Sequence, residues 1–163
     1  MPTGTAATPT SRPLWTPTTP PKQEQITFSE EYLSQLGFEF AHGKAPWPGN
    51  EVTQVTANVQ ADQEVYWKLW ANRYAGDTMI EVIPVMGTKL ALDGQRVRFE
   101  LFDLQWIGFQ FRPGWLDEDL HSAIFDLQEG VSDALERELQ EKGWVPVAVT
   151  SNDEAVIVTV EGR

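Results

Sequence analysis

The chain has 163 residues, a net charge of −12, seven tryptophans and no cysteine. That length suits one domain with an appendage. The missing thiols exclude disulfides, thiolate metal sites and a cysteine nucleophile. The charge disfavours nucleic acid and anionic membrane surfaces, which are bound through Lys and Arg. No apolar run approaches the roughly 20 residues of a membrane span, and the N-terminus lacks the apolar core of a secretory signal. A cytoplasmic protein is expected.

Residues 1–25 hold six prolines and seven threonines. Too little apolar surface is present there to offset chain entropy, so a disordered tail is predicted, followed by a single domain over 26–163. Within the tail, Leu14-Trp15 reads as a short docking motif or as an anchor onto the domain.

Thr27 and Glu30 stand in capping-box register. Phe28, Tyr32, Leu33 and Leu36 then form a helical stripe that Gly37 is expected to end. Residues 40–50 read as a loop, with Trp47 held between two prolines, where it either meets a partner or covers a sheet edge.

From Val52 the period changes to two. Residues 52–60 and 64–74 flank a three-residue hairpin loop, Ala61-Asp62-Gln63. Tyr66, Trp70 and Tyr74 also fit a helix, but the aromatic content favours strand. Pro84 marks the next strand as an edge or a bulge. Asp93-Gly94 then predicts a two-residue turn that sets Leu90 opposite Val97 and Lys89 opposite Arg98.

In residues 98–115 the apolar alternation slips at Leu101-Phe102 and again at Trp106-Ile107. A bulge at each slip would return both sets of side chains to one core. A helix starts at Asp117. Its stripe of Leu120, Ile124, Leu127, Val131, Leu135 and Leu139 is expected to be buried, and Gly143 caps it. A hairpin closes the chain. The sum is an α+β fold: a curved antiparallel sheet of about six to eight strands on one long helix in the C-terminal half, with a short N-terminal helix and a C-terminal β-hairpin.

Little chemistry is visible. No phosphate-loop, dinucleotide, serine-elbow or zinc-protease motif occurs. Glu118 and His121 form a single Glu-x-x-His, where a di-iron site needs two, and His42 has no nucleophile beside it. Glu81, Glu100 and Asp103 are the carboxylates nearest the apolar strands. No enzyme activity, cofactor or metal is expected.

The acids crowd residues 117–142, nine of them against Arg137 and Lys142, and read as a solvated helix face. Lys89, Arg96 and Arg98 cluster on the predicted hairpin. They suit a carboxylate-rich partner, self-association against the acidic helix, or protection of a strand edge. These features point to a non-catalytic adaptor, chaperone or assembly factor that binds another protein by strand addition. The terminal strand, with Val156, Val158 and Val160, and the Pro84 strand supply the edges. The order of helix, antiparallel strands, helix and two strands resembles small secretion-chaperone folds, with no shared motif and with extra strands. The alternative is a small apolar-ligand or lipid binder, its cavity between sheet and helix lined by Trp67, Trp106, Phe109 and Phe111.

Overall fold

Ile26 and Phe28 alternate with the polar Gln25 and Thr27, a period of two that fits residues 23–29 to a strand once a neighbouring strand supplies its ladder. The computed structural model describes residues 22–43, 50–75, 77–107 and 115–162. In it β1 (Gln23–Ser29) pairs antiparallel with the end of the chain, Phe28 opposite Val156 and Ile26 opposite Val158. Thr27 therefore caps no helix, and the last residues assigned to the tail belong to the strand. The cap is Ser29, whose Oγ accepts the Tyr32 amide at 3.2 Å and opens α1 (Glu30–Gly43).

Gly37 does not end this helix. A Cβ there would lie 2.9 Å from Val55 Cγ1 and 3.0 Å from Trp67 Cζ3. The glycine lets the helix approach the sheet; it is not needed for a left-handed cap.

Next come β2 (Asn50–Val59), β3 (Glu64–Ala75), β4 (Thr78–Asp93) and β5 (Arg96–Ile107), a four-stranded meander in sequence order. The three-residue loop forms as expected. Its last residue, Gln63, is held at a φ of 63°. Three contacts fix that backbone: its amide donates to Ser151 Oγ at 2.9 Å, its carbonyl accepts from Leu90 at 2.7 Å, and its side chain reaches the Val149 carbonyl.

Pro84 lies in an interior strand and not at the edge or bulge expected. The β3–β4 ladder breaks between Lys68/Val85 and Ala71/Val82 without changing register, and the missing proline donor falls in that break. The β4–β5 turn is also one residue later than predicted. Asp93 pairs with Arg96, leaving Gly94-Gln95 as the loop, and glycine at the first position with φ 62° fits a type II′ turn. Lys89 consequently faces Glu100, Arg98 faces Ala91, and the like-charge pair disappears.

The first predicted slip is real. The register shifts where Gly87 faces Asp103 and Thr88 faces Leu101, so Phe102 is the extra residue. Leu104 thereby returns to the core side, opposite the fully buried Met86. Phe102 itself turns outward.

α2 (Trp115–Glu141) buries Ile124, Leu127, Val131, Leu135 and Leu139, and Gly143 closes it at φ 72°. α1 and α2 cross at Gly130, where an added Cβ would intrude into the Phe40 ring. Alanine at this position gains about 1 kcal/mol of helix propensity but overpacks the crossing by about 1–3 kcal/mol. Gly130→Ala is therefore expected to destabilise by about 1–2 kcal/mol in urea unfolding. Combined with Phe40→Ala it should lose less than the two changes add up to.

The chain ends in β6 (Trp144–Ser151) and β7 (Ala155–Gly162). These strands do not extend the meander. They form a second sheet in the order β1-β7-β6, so the fold is α+β with two antiparallel sheets and not one. One hydrophobic cluster joins both sheets and both helices. Among the described residues no helix is long and apolar enough to cross a membrane.

Candidate functional site

Backbone groups in an antiparallel strand face its two neighbours alternately. Each outer strand therefore has a row of amides and carbonyls that something else must satisfy. On β2 these groups belong to α1: the Ala57 amide donates to Ser34 Oγ and the Val59 amide to Glu30 Oε1, both at 2.8 Å. On β5, Gln128 Nε2 donates to the Phe99 carbonyl at 2.6 Å. On β6, the Val149 carbonyl accepts from Gln63 at 3.3 Å, Pro146 has no donor, and Val147 is an extra residue that bends the edge.

β1 differs. The Glu30 amide donates to the Glu154 carbonyl. This fixes the phase: even-numbered residues of β1 face β7, while Gln25 and Thr27 face away. Among the described residues no group meets the outward amides and carbonyls of Gln25 and Thr27.

A groove of about 280 Å³ lies along that edge, lined by Ile26, Thr27, Phe28, Ser29, Tyr32, Glu138 and Lys142. Its wall is built by helical spacing. Tyr32, on the first turns of α1, stacks on Phe28 with centroids 5.8 Å apart. Its hydroxyl donates to Glu138 Oε2 on α2, and Lys142 Nζ lies 3.2 Å from Glu138 Oε1.

Burial pushes the Tyr32 phenol up to about 12, helped by the hydrogen bond to Glu138 and by the charges of Glu138 and Glu39. A raised phenol pKa means that the neutral form is favoured by folding. That contribution is complete below about pH 10, the unfolded value, and is lost as pH rises toward 12. The urea midpoint of the wild type should therefore fall more between pH 10 and 12 than that of Tyr32→Phe. Equal falls would show that the phenol is not held by the fold.

The residues predicted to bind a partner are dispersed. Arg96 is enclosed by α2, with hydrogen bonds to Glu129, Asp133 and Glu136. The acidic helix, which one of the readings had it meet on a second copy, is the chain's own. Lys89 lies 3.9 Å from Glu64, and Arg98 3.2 Å from Asp93. Val156, Val158 and Val160 are fully buried on the central strand β7, so the terminal strand is not an edge.

Trp67 is also fully buried; its indole donates to Thr88 Oγ1 at 3.1 Å and its ring meets Phe99 edge-on. It occupies part of the space where the alternative, ligand-binding reading placed a cavity. Trp106 pairs with Pro84, but its side chain, like those of His42 and His121, lies outside the described part. Trp15, Trp47, Phe109 and Phe111 lie outside the described residues altogether. Glu81 and Glu100 are exposed, and Asp103 accepts from Gln105.

Sequence reasoning missed Gln25, Thr27 and Tyr32 as a unit. The signal was the alternation of Ile26 and Phe28, too short to outweigh a helix start. It saw Glu138 and Lys142, but as a solvated pair. Comparison with protein families, curated proteins and solved structures finds no match to this chain. The functional reading therefore rests on the geometry.

Proposed function

We propose that this protein is a non-catalytic interaction module that binds another protein by strand addition at β1. The observation that carries the reading is the contrast between edges. Side chains of α1 take up the Ala57 and Val59 amides of β2, Gln128 of α2 takes up the Phe99 carbonyl of β5, and Gln63, Pro146 and Val147 blunt β6. Among the described residues nothing meets the outward backbone groups of Gln25 and Thr27, and a groove lies beside them. An added strand would satisfy those groups with main-chain hydrogen bonds, and the groove would select its side chains.

Thr27→Pro tests the reading. It removes one outward donor and leaves the pairing with β7 intact, because proline is tolerated where its nitrogen faces solvent on an edge. Wild type and Thr27→Pro would be used as paired baits in native lysate, with native mass spectrometry as the readout. A stoichiometric protein held by the wild type and lost by the variant supports strand addition at this edge. A partner held equally by both removes β1 from the interface. A small apolar mass travelling with both would favour the ligand-carrier reading, which the filled position of Trp67 now disfavours.

A further inference from the structure

The β1 edge says where a partner strand would lie, and the groove wall bears on what that strand carries. We infer that the segment docking on β1 is basic, with an inward Lys or Arg side chain that pairs with Glu138. This rests on strand addition at β1 and goes further by naming the chemistry of the occupant.

Side chains of an added strand alternate between the two faces of the sheet. Those on the core side would project beside Ile26 and Phe28, into the groove walled by Tyr32 and Glu138. Glu138 is already arranged as an acceptor there, with one oxygen taking the Tyr32 hydroxyl and the other facing Lys142 Nζ. The Lys142 side chain is 53% exposed, and its contact with Glu138 is an ordinary i,i+4 surface pair. Such pairs are held weakly. Lys142 thus occupies the position of an incoming cation and is readily displaced, more so by an arginine that can bridge a carboxylate through two N–H groups.

The surrounding charge has the matching sign. Glu39 acts on the Tyr32 hydroxyl together with Glu138, and exposed Glu141 adjoins Lys142 at the helix end. Glu24 and Lys22 neutralise each other at 2.8 Å. Lys142 pairs with Glu138, while Glu39 and Glu138 both act on the Tyr32 hydroxyl, on a chain whose net charge is −12. An acidic segment would be repelled from this wall. A second copy docking through its own β1 would bring Glu24, Ile26 and Phe28 to the inward face, which is a carboxylate where a cation is wanted.

The test is selection of a displayed library of random dodecapeptides on the full-length chain. Enriched peptides would then be synthesised and titrated by fluorescence anisotropy against wild type, Thr27→Pro, Glu138→Gln and Lys142→Gln. Expected are peptides with alternating β-formers and a Lys or Arg at one fixed position. Glu138→Gln should weaken them by about tenfold, the scale of one charge-assisted hydrogen bond, and Lys142→Gln should tighten them. N-methylation of alternate peptide amides should abolish binding, which tests the ladder without altering the protein.

Enriched peptides that lack a basic position, or that bind Glu138→Gln as well as wild type while failing on Thr27→Pro, would overturn the basic occupant and leave strand addition standing. No enrichment, or binding indifferent to both Thr27→Pro and N-methylation, would overturn strand addition itself. A dimer that forms with rising concentration and is lost in Thr27→Pro would make the occupant a second copy and also overturn the inference.

Discussion

Trp67→Ala is expected to lower the unfolding free energy by about 4 kcal/mol, within the range for large aromatic truncations in cores. The residue lies on β3 between Ala57 and Met86, with no exposed surface. Its ring meets Phe99 at 5.4 Å and 78°, and its six-membered edge covers Gly37 of α1. No small neighbour can swing into the vacated volume, because the strands on both sides are held in register and the helix backbone already touches the ring. The indole N–H also ends a chain of polar contacts: Trp67 Nε1 donates to Thr88 Oγ1, which donates to the Val65 carbonyl at 2.7 Å. Trp67→Phe keeps most of the volume and removes that donor, so about 1–2 kcal/mol is expected. Urea unfolding followed by far-UV circular dichroism would measure both. The experiment also separates two functional readings. If Trp67 lined a ligand cavity, its truncation would be cheap and would enlarge a site that binds apolar dye in the wild type. A loss below about 1.5 kcal/mol together with dye binding by the wild type would favour the cavity over the filled core.

What the sequence revealed and what it hid divide along a physical line. Several features set by local chemistry were legible, although the Asp93-Gly94 turn, equally local, forms one residue later. The three-residue loop before Glu64, the bulge forced by Leu101-Phe102, the α2 stripe and the Gly143 cap each depend on neighbours within a few residues. Features set by distant partners were not. β1 has only two apolar side chains, Ile26 and Phe28, and is a strand because β7, some 130 positions later, supplies its ladder and buries them. Ser34 and Glu30 meet amides of β2 and Gln128 meets a carbonyl of β5, and polar helix residues give no sign in sequence of which strand they will meet. The groove inherits this blindness. Tyr32 and Glu138 are 106 positions apart and are joined only by the crossing of α1 and α2.

The Phe102 bulge shows a subtler limit. The slip was readable, but not the side on which the extra residue would emerge. Phe102 stays 50% exposed, edge-on to Tyr66 at 6.0 Å, because Gly87 opposite leaves room for the ring.

Arg96 provides the second large effect and tests the reassignment of the cation cluster. Arg96→Met should cost about 2–3 kcal/mol, between the values for exposed pairs and for fully buried ones. The guanidinium side chain is 17% exposed and makes ion pairs with Glu129, Asp133 and Glu136. Burial works to lower its pKa, but the hydrogen bonds to Asp133 and Glu136 hold it above its ordinary value, so it stays charged throughout the useful pH range. Without it three carboxylates spaced three and four residues apart on α2 repel one another, and that repulsion weakens with salt. The deficit should therefore be largest at low ionic strength and shrink toward 1 M salt. Adding Glu129→Gln and Asp133→Asn should restore part of the loss. Arg96→Lys should recover less than half, since one ammonium cannot span three acceptors. If Arg96 instead belonged to a docking surface, Arg96→Met would leave stability nearly unchanged and reduce partner capture. The geometry predicts the reverse: the helix α2 loosens from the β5 edge, and binding at β1 changes only through the position of Glu138 on that same helix.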